Sequence, residues 1–105
     1  MNNDIELTTK TEDRETYLFR LYVAGFTPRS VSAVRNIRTI CSKYLEGRSQ
    51  LEIIDIYQQP HLASEAKIMA IPTLVRISPL PERRFIGDLS ITERILAGLD
   101  ITKGV

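Results

Sequence analysis

The chain has 105 residues, 43% of them hydrophobic and 26% charged, and a formal net charge of +1. That size supports one domain with an adequate core, and no apolar run is long enough to cross a bilayer as a helix. So small a charge imposes no nucleic-acid partner.

Residues 1–14 carry Asp4, Glu6, Glu12 and Asp13 and lack both aromatics and a sustained period. They are expected to form a flexible acidic tail, neither a signal nor a transit peptide. Residues 15–105 are then the folded domain. Tyr17-Leu18-Phe19-Arg20-Leu21-Tyr22-Val23-Ala24 is rich in the aromatic and branched residues that suit a strand. Gly25-Phe26-Thr27-Pro28 breaks it, with Thr27 placed to cap a helix and Pro28 suited to its first position. Val31, Val34, Ile37, Ile40, Cys41, Tyr44 and Leu45 then recur three or four apart, which predicts a helix ending at Glu46-Gly47. Cys41, the single cysteine, falls on its apolar face as an inert thiol, and one unpaired cysteine suits a reducing, cytoplasmic setting. Arg29, Arg35, Arg38 and Lys43 give the helix a basic outer face, without the interleaved aromatics of a nucleic-acid surface.

Leu51 to Tyr57 reads as a second strand, and its pairing with the first requires the helix as a crossover. Pro60 starts a short helix through Leu62, Ala63, Ala66 and Met69. His61, in its first turn, has no second ligand at metal spacing, so no metal site is expected. Pro72 belongs at the entrance of a third strand from Thr73, because proline cannot donate within a sheet. Pro79-Leu80-Pro81 is a stiff link, and Arg83 to Asp88 a short strand ending in a turn. Ser90-Ile91-Thr92-Glu93 fits a capping box, which predicts a helix from Ile91. The last segment satisfies two periods. Ile91, Ile95, Leu96 and Leu99 share a helical face, while Ile95, Ala97, Leu99 and Ile101 alternate as in a strand. Such a conflict permits two packings a few kcal/mol apart.

The order β-α-β-α-β-β-α, with Ile71-Pro72-Thr73 before the third strand, resembles the thioredoxin-like fold, in which that proline is usually cis. Thioredoxin chemistry needs a low-pKa thiolate at the start of the first helix. The loop here, Gly25 to Ser30, has none. Neither a phosphate loop, a carboxylate pair nor a Ser/His/Asp set appears. No catalytic residue and no cofactor are expected. The alternative, a redox or glutathione-dependent enzyme, would have to rest on Ser30 or Cys41.

Leu21-Tyr22-Val23-Ala24-Gly25, Thr27-Pro28, Ser30-Val31, Ile54-Asp55, Pro60, Leu62-Ala63, Lys67-Ile68, Pro72-Thr73-Leu74, Ile86 to Ser90 and Gly98-Leu99-Asp100 together resemble the KaiB family over about residues 16–101. The resemblance implies an α/β, thioredoxin-like KaiB fold, βαβαββα in the partner-binding state, with an alternative βαββααβ ground state. It implies a non-enzymatic regulatory protein whose partner is the hexameric KaiC ATPase, and a homodimer or homotetramer. Lys67 matches a position near the KaiC contact, and Arg83-Arg84 a basic pair. Tyr17, Gly98 and Asp100 match positions that balance the two folds; Gly98 would accept an unusual φ in one state while weakening the helix of the other, or else serve as a simple helix C-cap. Phe26, Arg29, Glu52, Leu80 and Thr102-Lys103 depart from the cyanobacterial pattern, and Glu52 reverses the charge on the edge that meets KaiA. These departures argue against a KaiA partner. They leave open a stress-adaptation role without KaiC contact.

Overall fold

The computed structural model describes residues 15–101, so the expected acidic tail lies outside the described residues. Its elements are β1 (Tyr17–Val23), α1 (Pro28–Tyr44), β2 (Ser49–Asp55), α2 (Pro60–Glu65), β3 (Thr73–Ser78), β4 (Arg83–Ile86) and α3 (Thr92–Gly98). The sheet order is β2-β1-β3-β4. β1 and β2 run parallel, with Tyr17 opposite Ser49 and Val23 opposite Asp55, and α1 makes the crossover that such a pair needs. β3 lies antiparallel to β1, and β4 antiparallel to β3.

Alternation along β1 divides the interior. Phe19, Leu21 and Val23 join Ala33, Ile37 and Ile40 of α1 and Ile95 and Leu96 of α3 in the main core. Tyr22 points the other way and meets Ile54 and Val75 beneath α2, with Leu62, Ala63 and Ile68 around them. The sheet is therefore covered on both faces, α1 and α3 on one and the short α2 on the other. This is the period-two pattern of a strand buried on both sides.

Several local expectations are corrected. Thr27 occupies the N-cap of α1 but makes no side-chain cap bond. The Ser30 hydroxyl, one turn in, instead accepts from the Ala24 amide at 3.1 Å. Ser90 does not cap α3; the N-cap is Ile91, again without a side-chain bond, and the Ser90 amide donates to Asp88 Oδ1 at 3.1 Å. α1 stops at Tyr44, and Val31, on its apolar stripe, is exposed at the groove beside β2. α2 stops at Glu65, leaving Met69 exposed beyond it. The cause of this early stop is Lys67, whose φ of 57° takes it out of the right-handed region.

Candidate functional site

The loop after β1 is where a thioredoxin-like enzyme would carry its thiol. Here Asp55 Oδ1 accepts from the Gly25 amide at 3.2 Å and the Tyr57 amide at 3.0 Å, pinning this loop to the end of β2. Phe26 projects from the loop 94% exposed. Cys41 sits 13 residues beyond Pro28 on α1, roughly 20 Å along the axis at 1.5 Å per residue. Burial pushes its thiol up in pKa, only partly offset by a hydrogen bond with Ser49, so the reactive thiolate is disfavoured. Between α1 and β2 runs a groove of about 1150 Å³, floored by Val23, Val34 and Ile53 and edged by Arg35, Arg38 and Lys43. On the other face of β2, the departing Glu52 holds Arg20 Nε at 2.8 Å across the β1–β2 pair. Among the described residues no group of three or more His, Cys, Asp or Glu is placed to hold a metal, and no helix is long and apolar enough to cross a membrane.

The basic pair Arg83-Arg84 is divided by the alternation of β4. Arg84 reaches the α2 side: Nη2 donates to Ala66 O at 2.7 Å, Nη1 to Lys67 O at 3.3 Å, and Nε to Glu82 Oε2 at 2.9 Å. Its guanidinium thus grips the backbone that ends α2 and braces Lys67, whose side chain is left exposed. A planar fork suits this double carbonyl grip better than an ammonium does. Arg83 turns to the opposite face, where Nη2 lies 3.9 Å from Asp100 Oδ2. The pair is exposed, so it contributes little to stability.

Because Lys67 pays for a left-handed conformation and glycine does not, while glycine adds unfolded-chain entropy, the two effects of Lys67→Gly oppose each other. Urea unfolding should show a change below about 1 kcal/mol.

Tyr17 lies far in sequence from Gly98 and Asp100, yet the fold brings it to the same end of the sheet as the close of α3. Tyr17 is buried in the same core as Leu99. Asp100, at φ 61°, takes the left-handed position that ends the helix, and its amide donates to Ala97 O at 3.1 Å. Gly98 is the last helical residue, with Leu99 as the C-cap, which corrects the reading of Gly98 as a C-cap; it is not among the positive-φ glycines, so in this arrangement it sits inside the helix. What disfavours a larger residue is the Phe85 ring of β4: a Cβ at position 98 would overlap its edge, 2.8 Å from Cζ, unless the ring moves. Pro72 opens β3 through a cis Ile71–Pro72 bond, and its carbonyl accepts from the Gly87 amide at 3.0 Å.

Two residues at this end escaped the sequence reading, Phe85 and Arg76. Arg76 is 3% exposed. The available signal was parity, since Arg76 shares the inward side of β3 with Leu74 two residues earlier.

Fold and site define a thioredoxin-like protein without the thiol at the helix start that thioredoxin chemistry needs. The backbone superposes on the N-terminal domain of SasA from Synechococcus elongatus with a TM-score of 0.67, at 21% identity, covering 87% of this chain and 90% of that one. It also superposes on Fasciola hepatica thioredoxin with a TM-score of 0.66, at 16% identity and 94% coverage of both chains. At such identities the likeness is one of fold. A family model described as "KaiB domain" matches residues 20–101. The Synechococcus elongatus protein named "Circadian clock oscillator protein KaiB" is 48% identical over 91 residues, spanning 87% of this chain and 89% of the relative. The chain belongs to the KaiB family.

Proposed function

We propose that this protein is a non-enzymatic regulatory module that binds the ATPase ring of a KaiC-type protein, with residues 15–105 as its working unit. Its contact face is the one that carries Lys67, Arg84 and the end of α2; Arg83 flanks the last helix on the other side. Binding is controlled by the arrangement of the C-terminal half, through Tyr17, Gly98 and Asp100. The relatives' name, circadian clock oscillator protein, supports a regulatory role in a circadian-type or stress-adaptation pathway. The observation that carries the reading is the Arg84 grip on the Ala66 and Lys67 carbonyls, which fixes the backbone beneath an exposed lysine at a helix end and so reduces the backbone ordering cost of binding.

The test is sedimentation of the full chain mixed with the cognate KaiC-type hexamer and nucleotide. The wild type should co-sediment with the ring, and Lys67→Gly should lose most of that binding with its stability preserved. Absence of a complex for the wild type, or undiminished binding by the variant, contradicts the proposed role or the proposed face respectively.

A further inference from the structure

Arg76 is a charged side chain almost wholly removed from water, at 3% exposure in the middle of β3. Nη1 donates to Leu99 O at 3.1 Å, and Nη2 to Pro81 O at 2.9 Å. Both acceptors are neutral carbonyls, and Nε has no acceptor at all. The Tyr17 ring lies beside the guanidinium, its centroid 5.9 Å from Cζ. Taking a guanidinium out of water is costly and is repaid only when its donors are satisfied. Here they are satisfied in part, and only while α3 and the Pro79-Leu80-Pro81 link stay where they are.

The acceptor on Leu99 is significant in its own right. Leu99 is 0% exposed, and its carbonyl belongs to the set that a helix end leaves without an intrahelical partner. A buried helix end needs a donor from elsewhere, and a cation there also meets the negative end of the helix dipole. Arg76 supplies both. Undocking of α3 would return the Leu99 carbonyl and the Nη1 side of the guanidinium to water together, while Nη2 keeps its Pro81 acceptor. The cost of opening is therefore partly refunded by hydration, and the opening stays local to this end of the sheet.

The geometry points to Arg76 as the positioning residue that latches the C-terminus of α3 to the sheet and so sets how often the C-terminal arrangement opens. It acts through Leu99 and Pro81, without touching the partner. Its consequence for binding rests on the function proposed above, since only there does the arrangement of α3 govern the partner; the latch itself does not.

The test is amide hydrogen exchange on the full chain for the wild type, Arg76→Lys and Arg76→Met. Lysine keeps the charge but cannot span two carbonyls, and methionine keeps bulk without any donor. In both variants the amides of Leu99, Asp100 and Ile101, which donate to Ile95 O, Ala97 O and Leu96 O, should lose protection by about tenfold or more. The α1 amides of Ile37 and Ile40 should keep theirs. Wild-type protection of α3 in Arg76→Met would show that bulk alone suffices and overturn the latch. Equal loss in α1 and α3, or failure of both variants to fold, would also overturn it, because the effect would be global. If only the lysine variant fails to fold, the methionine variant decides. Failure of the wild type to bind a KaiC-type ring would remove the proposed function and leave the exchange result to be judged alone.

Discussion

Leu99→Ala should lower the stability of the domain by about 2–5 kcal/mol, the range for emptying a fully enclosed leucine site. Leu99 is 0% exposed and shares its core with Tyr17, Phe19 and Leu21 of β1 and with Ile95 and Leu96 of α3. It is also the C-cap of α3, its amide donating to Ile95 O at 2.9 Å. The truncated side chain therefore leaves a void where the helix end meets the sheet, and the walls cannot close it without moving the carbonyl that Arg76 holds. In urea the midpoint should fall. If α3 is already undocked in the variant, the slope should fall as well, because less surface remains to be exposed on unfolding. A loss below about 1 kcal/mol with an unchanged slope would mean that α3 contributes little to the fold.

The second large effect is a coupling between Gly98 and Phe85. Alanine at a helical position is favoured over glycine by about 1 kcal/mol, but here the added Cβ would overlap the Phe85 ring. Forcing such an overlap typically costs about 1–3 kcal/mol. Phe85 is half-buried on β4, opposite Leu74, so its ring can yield only in part. Gly98→Ala alone should therefore be neutral to destabilising for this arrangement. In a Phe85→Leu background, which lacks the atoms that collide, the same substitution should stabilise by up to about 1 kcal/mol. The double-mutant cycle should give a coupling of about 1–3 kcal/mol. Additivity within about 0.5 kcal/mol would show that the close approach does not determine the residue at position 98.

Much of the fold was legible because its signals are local. The apolar run from Tyr17, the stripe from Val34 to Leu45, and the run from Leu51 each identify an element by period, and a parallel pair then demands the crossover helix. Pro72 at a strand entrance follows from its missing donor. What was not legible depends on register. Arg83 and Arg84 are adjacent in sequence, yet β4 sends one toward Asp100 and the other toward Ala66 and Lys67. No spacing rule says which face each will take until the pairing of Val75 with Arg84 is known. Thr27 sits at the N-cap of α1 and Ser90 one residue before that of α3, yet neither helix start has a side-chain cap bond; Ser90 instead turns back on Asp88. The tail from Ile95 to Ile101 satisfied two periods, and this structure uses the helical one: Ile95, Leu96 and Leu99 are buried while Ala97 and Asp100 face water. In this arrangement the room at Gly98 is set by a ring thirteen positions earlier, which no local pattern announces.

The most direct test is the secondary structure of residues 73–101, read from backbone NMR chemical shifts of the free chain over a range of concentrations and of the chain bound to a KaiC-type ring. The ring-bound chain should show strands at Thr73–Ser78 and Arg83–Ile86 and a helix at Thr92–Gly98, as here. The free chain at high concentration should show a second set of signals, with extended shifts over Ile95–Ile101 in slow exchange with the first. A single set of signals with the helix at Thr92–Gly98 under every condition, alongside undiminished ring binding, would contradict control of the partner by this segment.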